Sequence, residues 1–338
     1  MSEHFLKDKK ILFIGPMTFG YEETIKTKLQ KMGAEVDLFK ENTLSLQYRI
    51  SRLLGPRFLD KYKNNFIKKI MNKVKNSRYD YFFLIRGDLL SKDFFIKIKQ
   101  LQPSAHFIMY QWDSINLFNY LDLIDQFDIV FSFDPIDCQK HKLKYLPLFY
   151  DDDYKDLRNK VSKQNIDLLF IGTLHSDRLQ ILKEIDKQAK ENYLITSFHL
   201  YMPFFTFVKN LIINKNFQYD LGYLMFRPFN KKKLLNFLSR SKAVIDINNT
   251  FQSGLTMRTI ETLGSGKKLL TTNFSIQNES FFHTNDISIL DRNHSILDLI
   301  FLNKEHSNNN YNELNLENWI TTIFTQKIEK NYGKITNV

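Results

Sequence analysis

Lys10-Ile11-Leu12-Phe13-Ile14-Gly15 and Ile166-Asp167-Leu168-Leu169-Phe170-Ile171-Gly172 decide how this chain reads. Both are short, nearly continuous apolar runs that end in glycine. A strand with one wet face alternates apolar and polar residues, whereas an unbroken run belongs to a parallel strand covered on both faces. Downstream of the first run, Tyr21–Met32 reads as a helix closed by Gly33, Glu35–Phe39 and Tyr79–Arg86 as strands, and Ser91–Leu101 as a helix capped by Ser91. His106–Gln111, Asp128–Phe133 and Lys144–Phe149 read as further strands. Downstream of the second run the pattern restarts. Helix Arg178–Lys190, strand Leu194–Leu200, helix Lys231–Arg240, strand Ala243–Ile247 and helix Thr256–Leu263 follow one another, then strands Lys268–Thr272 and Ile287–Leu290 and a last helix Asn315–Glu329. Such alternation with short joins specifies an α/β chain with two Rossmann-like parallel sheets. The polar run Asp151–Gln164 divides them. The expected domains are 1–155 and 165–312, with a C-terminal helix and tail over 313–338.

Composition removes several function classes. The single Cys138 excludes an internal disulfide framework and a cysteine zinc cluster, and the eight histidines show no ligand spacing. Neither a Walker loop nor a dinucleotide fingerprint occurs, which removes P-loop kinases and dehydrogenases. The start, MSEHFLKDKK, lacks a signal-type apolar run. The longest aromatic–apolar run, Phe198–Val208, is interrupted by His199, Pro203 and Thr206 and is too short for a bilayer, so the expected setting is cytoplasmic. The formal net charge of +11 calls for an anionic partner. Between Leu46 and Arg78 stand ten basic residues and one acid, Asp60. Apolar residues Leu46, Ile50, Leu53, Leu54, Leu59, Tyr62, Phe66, Ile70 and Val74 recur there at helical spacing, and Gly55-Pro56 splits the segment into two helices. An ordinary solvated face mixes signs. Charge concentrated in one segment argues against a nucleic-acid groove and for docking on an anionic membrane at its inner face. The run Tyr201–Phe207 would add apolar contact if exposed.

In open parallel sheets ligands bind beyond the carboxyl ends of the strands. Loops that follow strands therefore carry the candidates. Gln252-Ser253-Gly254-Leu255-Thr256-Met257-Arg258-Thr259-Ile260-Glu261 leads from a strand through small residues into a helix. Amides of that loop and the helix N-terminus make an anion site. Arg258 lies in the first turn, where the helix dipole disfavours a cation, which points to an anion beside it. Glu261, about a turn further on, can accept bonds from ribose hydroxyls. A plain Arg258–Glu261 pair on a helix face is the alternative. Gly264 and Gly266 close the helix. In the first half, Asp113 follows Gln111-Trp112 and Asp88 follows Arg86-Gly87, and the two compete as acceptor of a substrate proton. Asp113 with Ser114 can equally cap a helix, and Asp134 reads as the cap of a helix starting at Pro135. Asp151-Asp152-Asp153 is expected to be a solvated linker and not a metal motif.

The Ser253–Glu261 segment resembles the GT-B glycosyltransferases, in particular the donor domain of family-four-like bacterial polysaccharide enzymes. That resemblance places Glu261 on the family's ribose-binding Glu, Ser253 on a Glu that usually contacts the donor sugar, and Gly254, Leu255, Thr256 and Met257 on the loop whose amides hold the donor diphosphate. The family opens its second domain with an apolar strand, a Gly and a basic residue that reaches the diphosphate. Gly172-Thr173 and Arg178 match that opening, and His175 is a further candidate contact. Tyr110-Gln111-Trp112-Asp113-Ser114, Ser132-Phe133-Asp134-Pro135-Ile136-Asp137 and Tyr145-Leu146-Pro147-Leu148-Phe149 look like capsule and lipopolysaccharide biosynthesis members and CgeB-like relatives. The resemblance implies two parallel-sheet domains facing across a cleft, with the C-terminal helix returning to the first. It implies transfer of a sugar from a nucleotide-diphosphate donor to a surface polysaccharide or lipid-linked acceptor, with no cofactor and no metal. A UDP-sugar 2-epimerase of the same fold is one alternative. A non-catalytic nucleotide-sugar-binding or scaffold protein is another, kept open by Ser253.

Overall fold

The computed structural model describes residues 5–160, 162–213, 219–307 and 309–326. In chain order the elements are β1 (Lys10–Pro16), α1 (Tyr21–Lys31), β2 (Glu35–Glu41), α2 (Leu46–Leu54), α3 (Pro56–Lys75), β3 (Tyr81–Ile85), α4 (Lys92–Leu101), β4 (His106–Gln111), β5 (Ile129–Ser132), α5 (Pro135–His141) and β6 (Lys144–Tyr145). They continue as α6 (Asp152–Arg158), β7 (Ile166–Thr173), α7 (Arg178–Glu191), β8 (Thr196–Tyr201), α8 (Phe204–Ile213), β9 (Leu224–Met225), α9 (Lys231–Arg240), β10 (Ser241–Asp246), α10 (Met257–Gly264), β11 (Lys268–Thr271), β12 (Ile287–Ile289), α11 (Leu299–Asn303) and α12 (Leu316–Thr325). The chain forms two compact units. One holds the residues up to Pro147 together with the segment from Leu316, and the other is Leu148–Asn315.

Each unit carries a six-stranded sheet, with strand orders β2-β1-β3-β4-β5-β6 and β12-β11-β10-β7-β8-β9. Every pairing is parallel. Renumbered from its own first strand, the second sheet has the order 3-2-1-4-5-6 of the dinucleotide-binding folds. The expected α/β architecture is what the structure shows.

Continuous apolar runs fill both faces of each sheet. In the first unit Phe82 stacks on Phe107 at 5.0 Å between ring centroids, over Phe94, Phe95 and Phe127. On the other face α12 returns to cover Phe83 and Tyr110. The Trp319 ring stands 4.7 Å from Tyr110 and 6.1 Å from Phe83, and Phe324 packs on Tyr81. In the second unit Leu168, Phe170, Leu182, Ile185, Ala243 and Ile245 form the buried centre.

Departures from the sequence reading have local causes. The strand expected over Lys144–Phe149 ends at Tyr145: Leu146 still donates to Ser132 O, but Pro147 has no N–H to continue the ladder. Strand β8 starts at Thr196 because Leu194 N still bonds to Ala189 O and Tyr193 turns left-handed, closing α7. The presumed linker at Asp151–Asp153 is the start of α6. Asp151 is buried, caps the helix by accepting from Asp153 N at 3.1 Å, and pairs with Lys231 at 2.5 Å. Residues from Phe204 form α8. The final helix ends at Thr325, and residues 327–329 of the expected span lie outside the described residues.

The basic segment divides as its apolar residues predict, but unequally. In α3, Ile70 and Val74 are buried and Phe66, Ile67 and Met71 pack beside them. Helix α2 has no buried residue, and Leu46, Ile50, Leu53 and Leu54 are all exposed. Its N-terminus is fixed by Ser45, which accepts from Tyr48 N, and by Tyr62, which donates to Asn42 O at 2.9 Å. No helix among the described residues is long and apolar enough to cross a membrane.

Candidate functional site

In the second sheet β7 and β10 are neighbours, yet from them the chain runs outward in opposite directions. This is the switch point at which such sheets open a crevice beyond the strand ends. Arg178, first residue of α7, reaches across it. Its Nε donates to Ile247 O just past β10 at 2.9 Å, and Nη1 donates to Thr173 O at 2.9 Å. Gly172 makes room: a Cβ there would lie 2.9 Å from the Phe170 ring and 3.2 Å from Arg178 Nη1. A second guanidinium enters from the loop after β12. Arg292 forks onto Asp177, at 2.6 and 2.8 Å, and also donates to Asn248 O at 3.1 Å. Burial, with Arg178 and Arg292 nearby, pushes His175 down to about 4, so it is neutral at pH 7.

The following loop is held at both ends. Asp246 Oδ2 accepts from Thr256 Oγ1 at 2.8 Å and from Thr259 Oγ1 at 2.6 Å, which pins the first turn of α10 to β10. Thr256 also caps α10 by accepting from Thr259 N. Asn273, past β11, donates to Ser253 O and Gly254 O at 3.2 and 3.0 Å. Leu255 is buried beneath the loop, while Ser253, Thr256 and Met257 are partly accessible. Arg258 Nη1 meets Glu261 Oε2 at 3.0 Å, and the Glu261 side chain is 1% exposed. The plain pairing weighed above therefore exists, and Arg258 covers the carboxylate that was assigned to ribose. Gly264 has a packing reason of its own, since a Cβ there would fall 2.3 Å from the Tyr150 ring.

The first sheet reverses direction between β1 and β3. Past β3, Arg86 and Gly87 both have positive φ, 73° and 106°. This turn aims the amides of Gly87, Asp88 and Leu89 at one group, the Glu41 carboxylate at the end of β2, at 3.1, 3.1 and 2.8 Å. Glu41 is buried, and burial pushes it up to about 7 despite those amides. Arg86 binds both candidate bases: Nε lies 2.8 Å from Asp88 Oδ2 and Nη1 2.6 Å from Asp113 Oδ2, while its guanidinium rests on the Phe118 ring. Asp113 and Asp88 are thus two ends of one ion-pair network. The helix expected after Asp113-Ser114 does not form. Leu117 N turns back to Ser114 O, and the Asp137 carboxylate takes Ile115 N at 2.8 Å. Asp134 does cap α5, accepting from Ile136 N and Asp137 N.

Sequence reasoning missed Arg292, Asn273, Asp246 and Glu41. Arg292 sits in the polar run Asp291-Arg292-Asn293, and only its place after the last strand of the sheet marked it. Among the described residues no group of three or more His, Cys, Asp or Glu side chains converges as a metal site.

Comparison with solved structures finds remote relatives of this fold. The catalytic domain of starch synthase IV from Arabidopsis thaliana, bound to ADP and acarbose, is 9% identical with a TM-score of 0.53, over 95% of this chain and 96% of that one. An alpha-glucosyltransferase in complex with UDP and a 13-mer DNA containing a central A:G mismatch is 14% identical with a TM-score of 0.50, over 85% and 83%. A UDP-GlcNAc 2-epimerase from Methanocaldococcus jannaschii, in complex with UDP-GlcNAc and UDP, is 11% identical with a TM-score of 0.50, over 94% and 99%. No protein-family model and no curated protein matches the chain. At these identities the likeness carries the fold, which is GT-B.

Proposed function

We propose that this chain is a glycosyltransferase moving a sugar from a nucleoside-diphosphate donor to a surface-polysaccharide or lipid-linked acceptor. The observation that carries the reading is the β7/β10 switch point, where two guanidinium groups, a neutral histidine and the N-terminus of α10 meet. Such a cluster suits a diphosphate, whose charge grows as the bond from its oxygen to the sugar carbon breaks. Arg178, Arg258, the Gly172-Thr173 turn and the amides from Ser253 to Met257 are assigned to the diphosphate, and Glu261 to the ribose once Arg258 swings from it to the phosphates. On this reading arginines and a helix dipole stabilise the leaving group without a metal. The acceptor hydroxyl bonds to the sugar carbon and gives its proton to a carboxylate. Asp113 is assigned that role, with Asp88 as the rival.

The first unit would dock on the inner face of an anionic membrane through residues 46–78, bringing the enzyme to a lipid-linked acceptor. Support comes from the exposed apolar residues of α2 and the surplus of cations around them. Within the segment Lys73 is already engaged by Asp37 at 3.0 Å. Vesicle flotation should show binding to anionic but not neutral lipid, weakened by salt.

A second reading, UDP-sugar 2-epimerisation, is favoured by the likeness to the Methanocaldococcus jannaschii epimerase. A binding screen of nucleotide sugars followed by turnover assays separates the two. Free nucleoside diphosphate released only when an acceptor is present supports transfer. A sugar inverted at C2 with no acceptor supports epimerisation. Binding without either reaction leaves a non-catalytic donor-binding protein.

A further inference from the structure

The amino-end rim of the second sheet, opposite the donor loops, carries a cavity of about 300 Å³. Arg158 from the end of α6, Lys267 before β11 and Asp286 before β12 line it, together with His306 and Tyr311. Asp286 is the one carboxylate among these residues, and its charge is already taken up. Ser307 donates from both its amide and its hydroxyl, Tyr311 donates at 2.7 Å, and His306 stands at 3.4 Å. These partners hold Asp286 well below the usual carboxylate range.

The two strong cations have no such arrangement. Lys267 is 6% exposed, and its ammonium has one hydrogen bond among the described residues, to Ser239 O at 3.2 Å. Arg158 spends Nη1 on Asn309 O and Nη2 on Leu263 O, rests on the Tyr311 ring, and leaves its buried Nε with no partner. Neither has a carboxylate within 4.0 Å among the described residues. Burial alone pushes Lys267 down to about 8. A buried cation without a counter-charge is costly, and an anion placed against it removes that cost. Gly266, at φ +65°, also lines the cavity and leaves room for this guanidinium: a Cβ there would lie 3.1 Å from Arg158 Nε and 3.2 Å from its Cγ.

We infer that this cavity is a phosphate-binding site, separate from the donor loops, which takes a phosphate dianion either free or as the monoester of a small metabolite. Lysine and arginine together are the usual recognition of that group. The volume fits an ion of this size with a short organic remainder. The site lies against the last turn of α10, whose first turn carries the donor loop, so occupancy here bears on the same helix.

The test is calorimetric titration of the full chain with inorganic phosphate and, separately, with glycerol 3-phosphate, at constant ionic strength. Three proteins are compared: wild type, Lys267→Met and Arg178→Ala. Wild type should bind at least one of the two ligands, Lys267→Met should lose about tenfold or more in affinity, and Arg178→Ala should bind as wild type. Tighter binding of the ester identifies a metabolite, and tighter binding of the free ion identifies phosphate itself. Circular dichroism confirms the fold of each variant. As a second readout, the Lys267 ammonium, followed by NMR, should titrate at higher pH when ligand is present. Wild type that binds neither ligand, or Lys267→Met that binds as wild type, overturns the site, and loss of binding in Arg178→Ala moves it to the donor loops.

Discussion

The carboxyl-end rims of the two sheets occupy the same topological position and differ in charge balance: arginines are paired with acids at the second, whereas acids outnumber the single Arg86 at the first. In the second unit the switch point gathers Arg178 and Arg292, and the one histidine beside them is kept neutral. In the first unit the corresponding turn holds Asp88 and Asp113 on a single Arg86 and turns its amides onto Glu41. Helix N-termini and turn amides favour anions at either rim through the backbone alone. What separates them is the side-chain layer. On the proposed reading the arginines of the second rim receive a diphosphate; at the first rim Glu41 already fills the amide nest, and Asp113 is the proposed proton acceptor. On that reading one scaffold yields an anion receptor and a base by exchanging a few residues after its strands.

The largest effect should come from the first rim. Asp113→Asn is expected to lower transfer by about 10²–10⁴-fold with donor affinity unchanged, in an inverting enzyme. Full activity in Asp113→Asn together with inactivity in Asp88→Asn would move the role along Arg86 to the other carboxylate. At the second rim, Arg178→Ala and Arg258→Ala should each lower kcat by about 10²–10³-fold, more than they weaken donor binding. Wild-type turnover in both would break the contrast. Glu261→Ala should weaken donor binding about ten- to a hundredfold, read by calorimetry, while the fold survives.

The smallest effect is a pH slope. Glu41, raised to about 7 from an ordinary 4.5, binds more protons folded than unfolded, so its contribution to stability falls as pH rises from 4.5 to 7. His175, lowered to about 4 from 6.5, binds fewer protons folded, so its contribution rises between pH 4 and 6.5. The two oppose one another from pH 4.5 to 6.5. Relative to wild type, urea unfolding of Glu41→Gln should show stability climbing with pH, and His175→Asn stability falling with pH, each by about 1 kcal/mol per pH unit. Parallel profiles in all three proteins would show that these burials do not set the two rims apart.

The sheets were legible because parallel strands need unbroken apolar runs, and β1, β4 and β7 announce themselves that way. Capping chemistry was legible too: Asp134 before Pro135 and Gly55-Pro56 between α2 and α3 sit where they read. The state of the site was not. Arg258 and Glu261 are three apart on one helix, yet whether they bond each other or a ligand depends on burial, which spacing does not encode. Arg292 matters because the loop after β12 brings it past the end of β11 to Asn248 beyond β10, a neighbourhood set by sheet order. Glu41 reads as the polar end of a strand, and only the left-handed turn at Arg86-Gly87 turns three amides onto it. Helix α8 was hidden for a different reason: Phe204-Phe205-Thr206-Phe207-Val208 is too apolar to show a period.

Helix α12 sets an order of events during synthesis. The second unit is one uninterrupted stretch whose two ends are tied by the Tyr150–Asn315 bridge, with Tyr150 N donating to Leu314 O at 2.9 Å. It is complete once that stretch has left the ribosome. The first unit, although its strands emerge earlier, lacks Trp319, Ile320, Ile323 and Phe324 until the final helix appears, and these side chains are buried. The usual N-terminal-first sequence of domain completion is thereby inverted. The early-made sheet waits with one aromatic face uncovered while the later-made unit closes. A stop codon shortly after residue 315 would spare the second unit and leave the first one open.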